Sequence, residues 1–210
     1  MNVIVICERY GIVRDAFIRL GHNAVSCDLV DTEAPGPHLK ADARALNYSG
    51  YELAIAHPPC QYLTKAGAGK FWNEHRPEQQ EALDFVLWLW NLPVEHICIE
   101  NPAGYLSTAW RKPDQYIDPW WFGHKEKKHT GLWLKNLSPL MATLIYPDPV
   151  NWVTNMPGTK NRSLKRSKTF PGIAEAMAVQ WGGLKRGAEI YTQNLVPEGK
   201  TQKRNLFNGG

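Results

Sequence analysis

Long hydrophobic runs are missing from this sequence of 210 residues. No stretch approaches the roughly 20 apolar residues needed to cross a bilayer, and the opening MNVIVICERYG carries no basic leader ahead of a long apolar core. A soluble, cytoplasmic protein with no membrane partner is the expectation. Cysteine is sparse: Cys7, Cys27, Cys60 and Cys98 are the only 4, and none forms a CxxC pair. That usage excludes a disulfide-stapled secreted domain and shows no zinc ligand set, so no metal is expected. Strong charge of one sign is also lacking. A formal net charge of +4 permits a nucleic-acid partner without requiring one.

What is present is enough apolar material for one core. Hydrophobic residues make up 43% of the chain, and the length suits a single domain over 1–196, followed by a flexible tail over 197–210. Basic residues gather at Lys160, Arg162, Lys165, Arg166 and Lys168 in the polar stretch KNRSLKRSK. Tryptophan is frequent, with 9 in all. Trp110, Trp120, Trp121 and Trp152 lie among prolines and polar residues, where packing of loops onto the core is the ordinary role, and one or two could face a base.

The order of elements is that of an α/β protein. VIVIC at 3–7 reads as a buried strand, and Val13, Ala16, Phe17 and Leu20 have helical spacing that stops at Gly21. NAVSCDL then gives a second strand ending in Asp28. After the loop DTEAPGPHLK and a short ADARAL segment comes the strand YELAIA. PEQQEALDFVLWLWNL predicts a long helix opening at Pro77 and closing before Pro93. HICIE is a strand, Gly131 to Leu134 another, and IAEAMAVQW a final helix. Strands alternating with helices predict a doubly wound parallel sheet, in which ligands bind beyond the carboxyl ends of the strands. Gly11, Asp28, Cys60 and Glu100 each fall at such an end and would share one rim.

Cys60 follows Pro58 and Pro59 in AHPPCQYL. Two fixed φ angles hold the next side chain in a set direction, and a thiol so held at a ligand-binding rim is a candidate covalent catalyst. Cys7, Cys27 and Cys98 lie in apolar runs and read as small buried hydrophobes. Glu100 brings a carboxylate to the same rim, with Pro102 stiffening the turn behind it. Partial burial is expected to raise its pKa and keep it protonated, able to donate to a ring nitrogen.

PPCQ followed by ENP, behind a glycine-bearing first turn and an acidic second strand end, resembles the DNA (cytosine-5) methyltransferase family. The resemblance runs from about residue 3 to about residue 182, and the compact form with RSKTFPGIAEAMAVQWG is similar to the small enzymes carried by bacteriophages. It implies a Rossmann-like sheet of the class I S-adenosylmethionine-dependent type. It also implies that Cys60 adds to cytosine C6, that Glu100 bonds N3 and the exocyclic amine, and that C5 takes the methyl group of S-adenosyl-L-methionine. The base would be flipped out of the DNA duplex to reach them. Pro59, Gln61, Asn101, Pro102 and Lys128 would shape the base pocket. Glu8, Tyr10, Gly11 and Pro58 would surround the methionine end of the cofactor, Asp28 the ribose hydroxyls and Asp42 the adenine, although Asp42 also suits a cap on ARAL.

Departures from the family pattern shape the remaining expectations. The first loop, Cys7-Glu8-Arg9-Tyr10-Gly11, has one glycine where FxGxG has two. The QxRxR segment has a relative only in Glu126-Lys127-Lys128-His129-Thr130, which reads equally as a phosphate contact through Lys127 and Lys128 or as a solvated loop. Only 138–168 is left for target recognition, so the expectation is a very small or absent recognition domain, with short or relaxed specificity aided by phosphate contacts from the basic stretch or by a partner protein. Two alternatives stand beside methylation of DNA. One is a cytosine-5 methyltransferase acting on free pyrimidine nucleotides; the other is a non-catalytic nucleic-acid-binding protein on the same fold.

Overall fold

Val3 to Ile6 and Leu53 to Ala56 are fully or almost fully buried, and a strand that is apolar on both sides needs cover on both faces. The computed structural model, which describes residues 1–64, 76–151 and 167–183, supplies it. β1 (Asn2–Ile6), β2 (Asn23–Asp28), β3 (His38–Lys40), β4 (Leu53–Ala56), β5 (His96–Pro102), β6 (Gln115–Ile117) and β7 (Thr130–Lys135) form one sheet in the order β3-β2-β1-β4-β5-β7-β6. β1 to β5 pair in parallel, whereas β7 runs antiparallel between β5 and β6. This order, with its one reversed strand, is a Rossmann-like, doubly wound α/β fold.

Side chains alternate across the sheet and divide the core in two. Val3, Val5, Leu53 and Ile55 point to one face and pack with Val13 and Phe17 of α1 (Ile12–Arg19) and with Ile173, Met177 and Trp181 of α4 (Pro171–Gly182). Ile4, Ile6, Ala54 and Ile97 point the other way, toward Leu83, Val86 and Leu89 of α2 (Arg76–Trp90). Each buried aliphatic side chain of this kind contributes roughly 1.5–3 kcal/mol. A four-residue helix, α3 (Leu106–Ala109), follows β5.

Most expected elements form, with differences that have local causes. The helix expected to stop at Gly21 ends with Leu20 as its cap and Gly21 at φ 81 directly behind it. The segment read as the loop DTEAPGPHLK contains β3. Its order comes from Arg14, which is fully buried. The guanidinium donates to the carbonyl oxygens of Ala34, Pro35 and Pro37 at 3.3, 3.0 and 3.4 Å and to Ser26 Oγ at 3.2 Å. An apolar-pattern reading has no means of detecting a strand edge held by a distant arginine. β6 was likewise not expected, being three residues long.

Trp110 packs rather than waiting for a base: it lies edge-on to Trp90 and stacks near Trp133, with the Arg111 guanidinium 5.1 Å from its ring centre. Trp120 and Trp121 meet edge to face. Trp152, Lys160, Arg162, Lys165, Arg166 and the 197–210 tail lie outside the described residues.

Gly11 caps α1 at φ 68, and a Cβ there would run into the Arg14 guanidinium. Gly21 also has a positive φ, 81, but a Cβ would meet nothing within 4 Å. Both alanine substitutions carry left-handed strain of about 1–2 kcal/mol. Gly11→Ala is expected to lower unfolding free energy by at least 1 kcal/mol more than Gly21→Ala, measured by urea denaturation, because only Gly11 must also displace a buried ion.

Candidate functional site

The carboxyl ends of β1, β2, β4 and β5 carry the rim residues, and the reversal of β7 brings its first residues to the same edge. Pro102 of β5 is opposite Thr130, and Glu100 is opposite Leu132. β4 ends at Ala56, after which His57-Pro58-Pro59-Cys60 leaves the sheet. The turn closes where the Cys60 carbonyl accepts the N–H groups of Leu63 and Thr64 at 3.0 and 3.1 Å. It is anchored from two sides. Gln79 of α2 donates to the Tyr62 carbonyl at 3.1 Å, and Tyr105 N donates to the Leu63 carbonyl at 2.8 Å. Gly104 lies so close to the Leu63 carbonyl that a Cβ could not be accommodated.

Two further hydrogen bonds join this turn to the end of β5. His57 Nδ1 lies 3.2 Å from Glu100 Oε2, and Asn101 Nδ2 donates to the Pro58 carbonyl at 2.9 Å. Asn101 is fully buried, and its Oδ1 has no partner among the described residues. Cys60 is half-buried and forms no disulfide. The HPPC turn and the ENP turn, expected to share a rim, are therefore bonded to each other.

The ionisation expected for Glu100 is corrected. Burial does push its carboxyl up. The His57 hydrogen bond, the charges of Lys128 and His57 and a hydrogen bond with Thr130 outweigh it and hold the group below the ordinary glutamate range. Glu100 is a carboxylate at rest, not a proton donor. The stretch 126–130 is anchored at both ends, with His129 exposed between them. Glu126 is buried, Lys127 N donates to the Val150 carbonyl at 2.9 Å, and Thr130 Oγ1 donates to the Lys128 carbonyl at 2.9 Å. Lys127 itself stays exposed.

Two cavities open on this rim, of about 220 and about 370 Å³, and they share Cys7, Asp28 and Pro59. The smaller is also lined by Glu8, Arg9, Tyr10, His57, Ser167 and Thr169. The larger includes Asp42, Gln61 and Phe85. Pro59 rather than Pro58 faces both; Pro58 is buried behind the turn. Asp42 does two jobs, facing the larger cavity while its carboxylate accepts from Arg44 N at 2.9 Å.

Glu8 also turns inward. Its carboxylate accepts the N–H groups of Val13 at 2.6 Å and Arg14 at 3.2 Å, filling the start of α1 with an internal anion. Burial raises its pKa against the opposing pull of His57, these two N–H groups and Arg14. Lys168, expected on DNA phosphate, is already engaged over the Tyr10 ring at 4.4 Å and lies 3.7 Å from Glu33.

Sequence reasoning missed several residues here. Cys7, taken as a plain hydrophobe, sits at φ 60 and lines both cavities, with burial and the nearby Asp28 charge pushing its thiol up to about 12. His57 and Thr130 were overlooked as partners of Glu100. The HP dipeptide beside the cysteine was the available signal for His57; Thr130 had none, since only the reversal of β7 brings it there. Among the described residues no His, Cys, Asp and Glu group could hold a metal, and no helix is long and apolar enough to cross a membrane.

No protein-family model matches this chain, and no curated protein does. Among solved structures it is similar to an E. coli protein described as a candidate DNA modification methyltransferase encoded within a prophage, at 16% identity and TM-score 0.49, over 76% of this chain and 56% of that one. It is also similar to a Spodoptera frugiperda DNMT2 mutant, at 16% identity and TM-score 0.42 over 72% and 56% of the two chains. A third is the Entamoeba histolytica methyltransferase EhMeth, at 16% identity and TM-score 0.43 over 77% and 61%. The chain spans 56–61% of the length of these three structures.

A carboxyl held below its ordinary range adds stability that is complete above that range and is lost as pH falls through the folded-state value. Glu100→Gln removes this contribution. The difference in urea midpoint between the native protein and Glu100→Gln is expected to be constant near neutrality and to shift against the native protein as pH drops below about 4.3.

Proposed function

We propose that this protein transfers a methyl group from S-adenosyl-L-methionine to C5 of cytosine in DNA, with Cys60 as the nucleophile. The observation that carries this reading is the bonding of the HPPC turn to the ENP turn beside two cavities that share Cys7, Asp28 and Pro59. The cavities suit the cofactor. Asp28 stands where the two meet, at the end of the second strand, the position that reads ribose hydroxyls in folds of this kind. Asp42 lies in the larger cavity, suited to the adenine amino group, and the smaller one offers Arg9, whose buried Nε has no partner among the described residues.

When bound, the cofactor supplies an electrophilic methyl group. The chain supplies the means to make C5 nucleophilic. The Cys60 thiolate adds to C6, so that electron density moves toward C5 and N3. Glu100 faces N3 and the exocyclic amine, and its hydrogen bonds strengthen as charge builds on the ring. Lys128, on the Glu100 side, balances the carboxylate and the flanking phosphate. Rigidity of the prolines and the Asn101 cross-link keep the thiol from drifting, since misplacement by about 1 Å can cost on the order of 100-fold in rate. Loss of the C5 proton and expulsion of the sulfur restore the ring.

Phosphate contacts from the basic stretch, including Lys160, Arg162, Lys165 and Arg166, give affinity rather than sequence choice. Specificity is therefore short, or supplied by a partner protein.

Incubation with labelled S-adenosylmethionine and unmodified DNA, followed by base analysis, is expected to yield 5-methylcytosine. Cys60→Ser is expected to abolish it, and the native protein is expected to form a covalent adduct with DNA containing 5-fluorocytosine. Label appearing on deoxycytidine monophosphate but not on DNA would move the reading to free nucleotides. DNA retention without transfer, unchanged by Cys60→Ser, would leave a binding protein instead. Asp28→Ala is expected to weaken cofactor binding at least tenfold by calorimetry, with DNA retention intact.

A further inference from the structure

Among the described residues, His57 joins the turn of the nucleophile to the carboxylate opposite it, and half of its ring is unaccounted for. Nδ1 lies 3.2 Å from Glu100 Oε2. Nε2, on the other side of the imidazole, has no hydrogen-bond partner among the described residues, although the side chain is only 10% exposed. A buried ring nitrogen without a partner is costly and asks for a role. His57 also lines the smaller cavity.

The charges around the ring come from every neighbouring element. Glu100 faces it from β5, with Lys128, two residues ahead of β7, and Thr130, its first residue, acting on the same carboxylate. Glu8, from the turn after β1, feels the His57 charge from the other side. Asp28, Arg9 and Tyr10 share the cavity. Because Glu100 is ionised at rest, the proton between it and the ring belongs on Nδ1. Glu100 thus holds no proton of its own to give to a substrate.

We propose that His57 is a positioning residue for cytosine methylation: it fixes the Glu100 carboxylate through Nδ1 and, through Glu100, supplies the proton that cytosine N3 takes up when the Cys60 sulfur adds to C6. This rests on the cytosine-5 reading above.

The step balances. A C6–S bond forms, the C5–C6 π pair is delocalised toward N3, and N3 gains a proton from the Glu100 carboxyl, which has received it from Nδ1. The imidazolium is left neutral. When the C6–S bond breaks and the 5,6 double bond is restored, N3 returns its proton to Glu100 and the ring is recharged. Nε2 keeps its hydrogen throughout, and the exchange runs only along the Nδ1–Glu100 contact.

His57→Asn separates holding from proton supply, because its amide can still donate to Glu100 but cannot give up a proton. With cytosine-containing DNA, kcat of His57→Asn is expected to fall roughly 10- to 100-fold with KM little changed, and the alkaline limb of the native kcat–pH profile is expected to vanish. Native kcat and an unchanged limb in His57→Asn would overturn the proposal while leaving the cytosine-5 reading intact. A native protein that forms neither 5-methylcytosine nor a 5-fluorocytosine adduct would overturn both. The pairing itself is read without substrate by ring ¹⁵N NMR of the intact protein. The His57 nitrogen signals are expected to change in Glu100→Gln, and identical signals in the two proteins would overturn the proposal even if His57→Asn failed to fold.

Discussion

The site depends on one constraint, the pair of hydrogen bonds that ties the end of β4 to the end of β5. His57 to Glu100 and Asn101 to the Pro58 carbonyl cross the gap between adjacent strands just after their ladder ends. Each bond alone contributes about 1 kcal/mol. Their value lies in what they fix. With Pro58 and Pro59 limiting φ, two cross-links leave the turn little freedom, so two turns from distant parts of the chain are set in register by the sheet itself.

The reversed strand completes the arrangement. A parallel strand would present its carboxyl end at the rim, but β7 presents its beginning, and with it Lys128 and Thr130. Those groups explain why a partly buried carboxyl stays ionised, since a nearby cation and hydrogen bonds to the charged form outweigh desolvation. At Glu8, bonded to the start of α1, burial wins instead and the shift goes the other way.

The smaller cavity shows how a sequence with one loop glycine still builds a recess. Gly11 takes the positive φ at the helix start, and Cys7 takes a second one at the end of β1. Glu8 then fills the helix N-terminus, where other proteins place a ligand anion. Buried Arg14 gathers the carbonyl groups of the 34–37 segment. These devices involve residues without any regular spacing, and pattern reading passed over Arg14 and Cys7.

The amino-acid order by itself determined the alternation of strands and helices, the two-sided burial of β1 and β4, and the rim positions of Asp28, Cys60 and Glu100, because hydrophobic period and proline punctuation are local properties. Tertiary structure alone decided the ionisation of Glu100, the inward use of Glu8 and the partnership of His57 with a residue 43 positions away. Charge state depends on which groups meet in space and how far water is excluded, and neither is written in the spacing of residues along the chain.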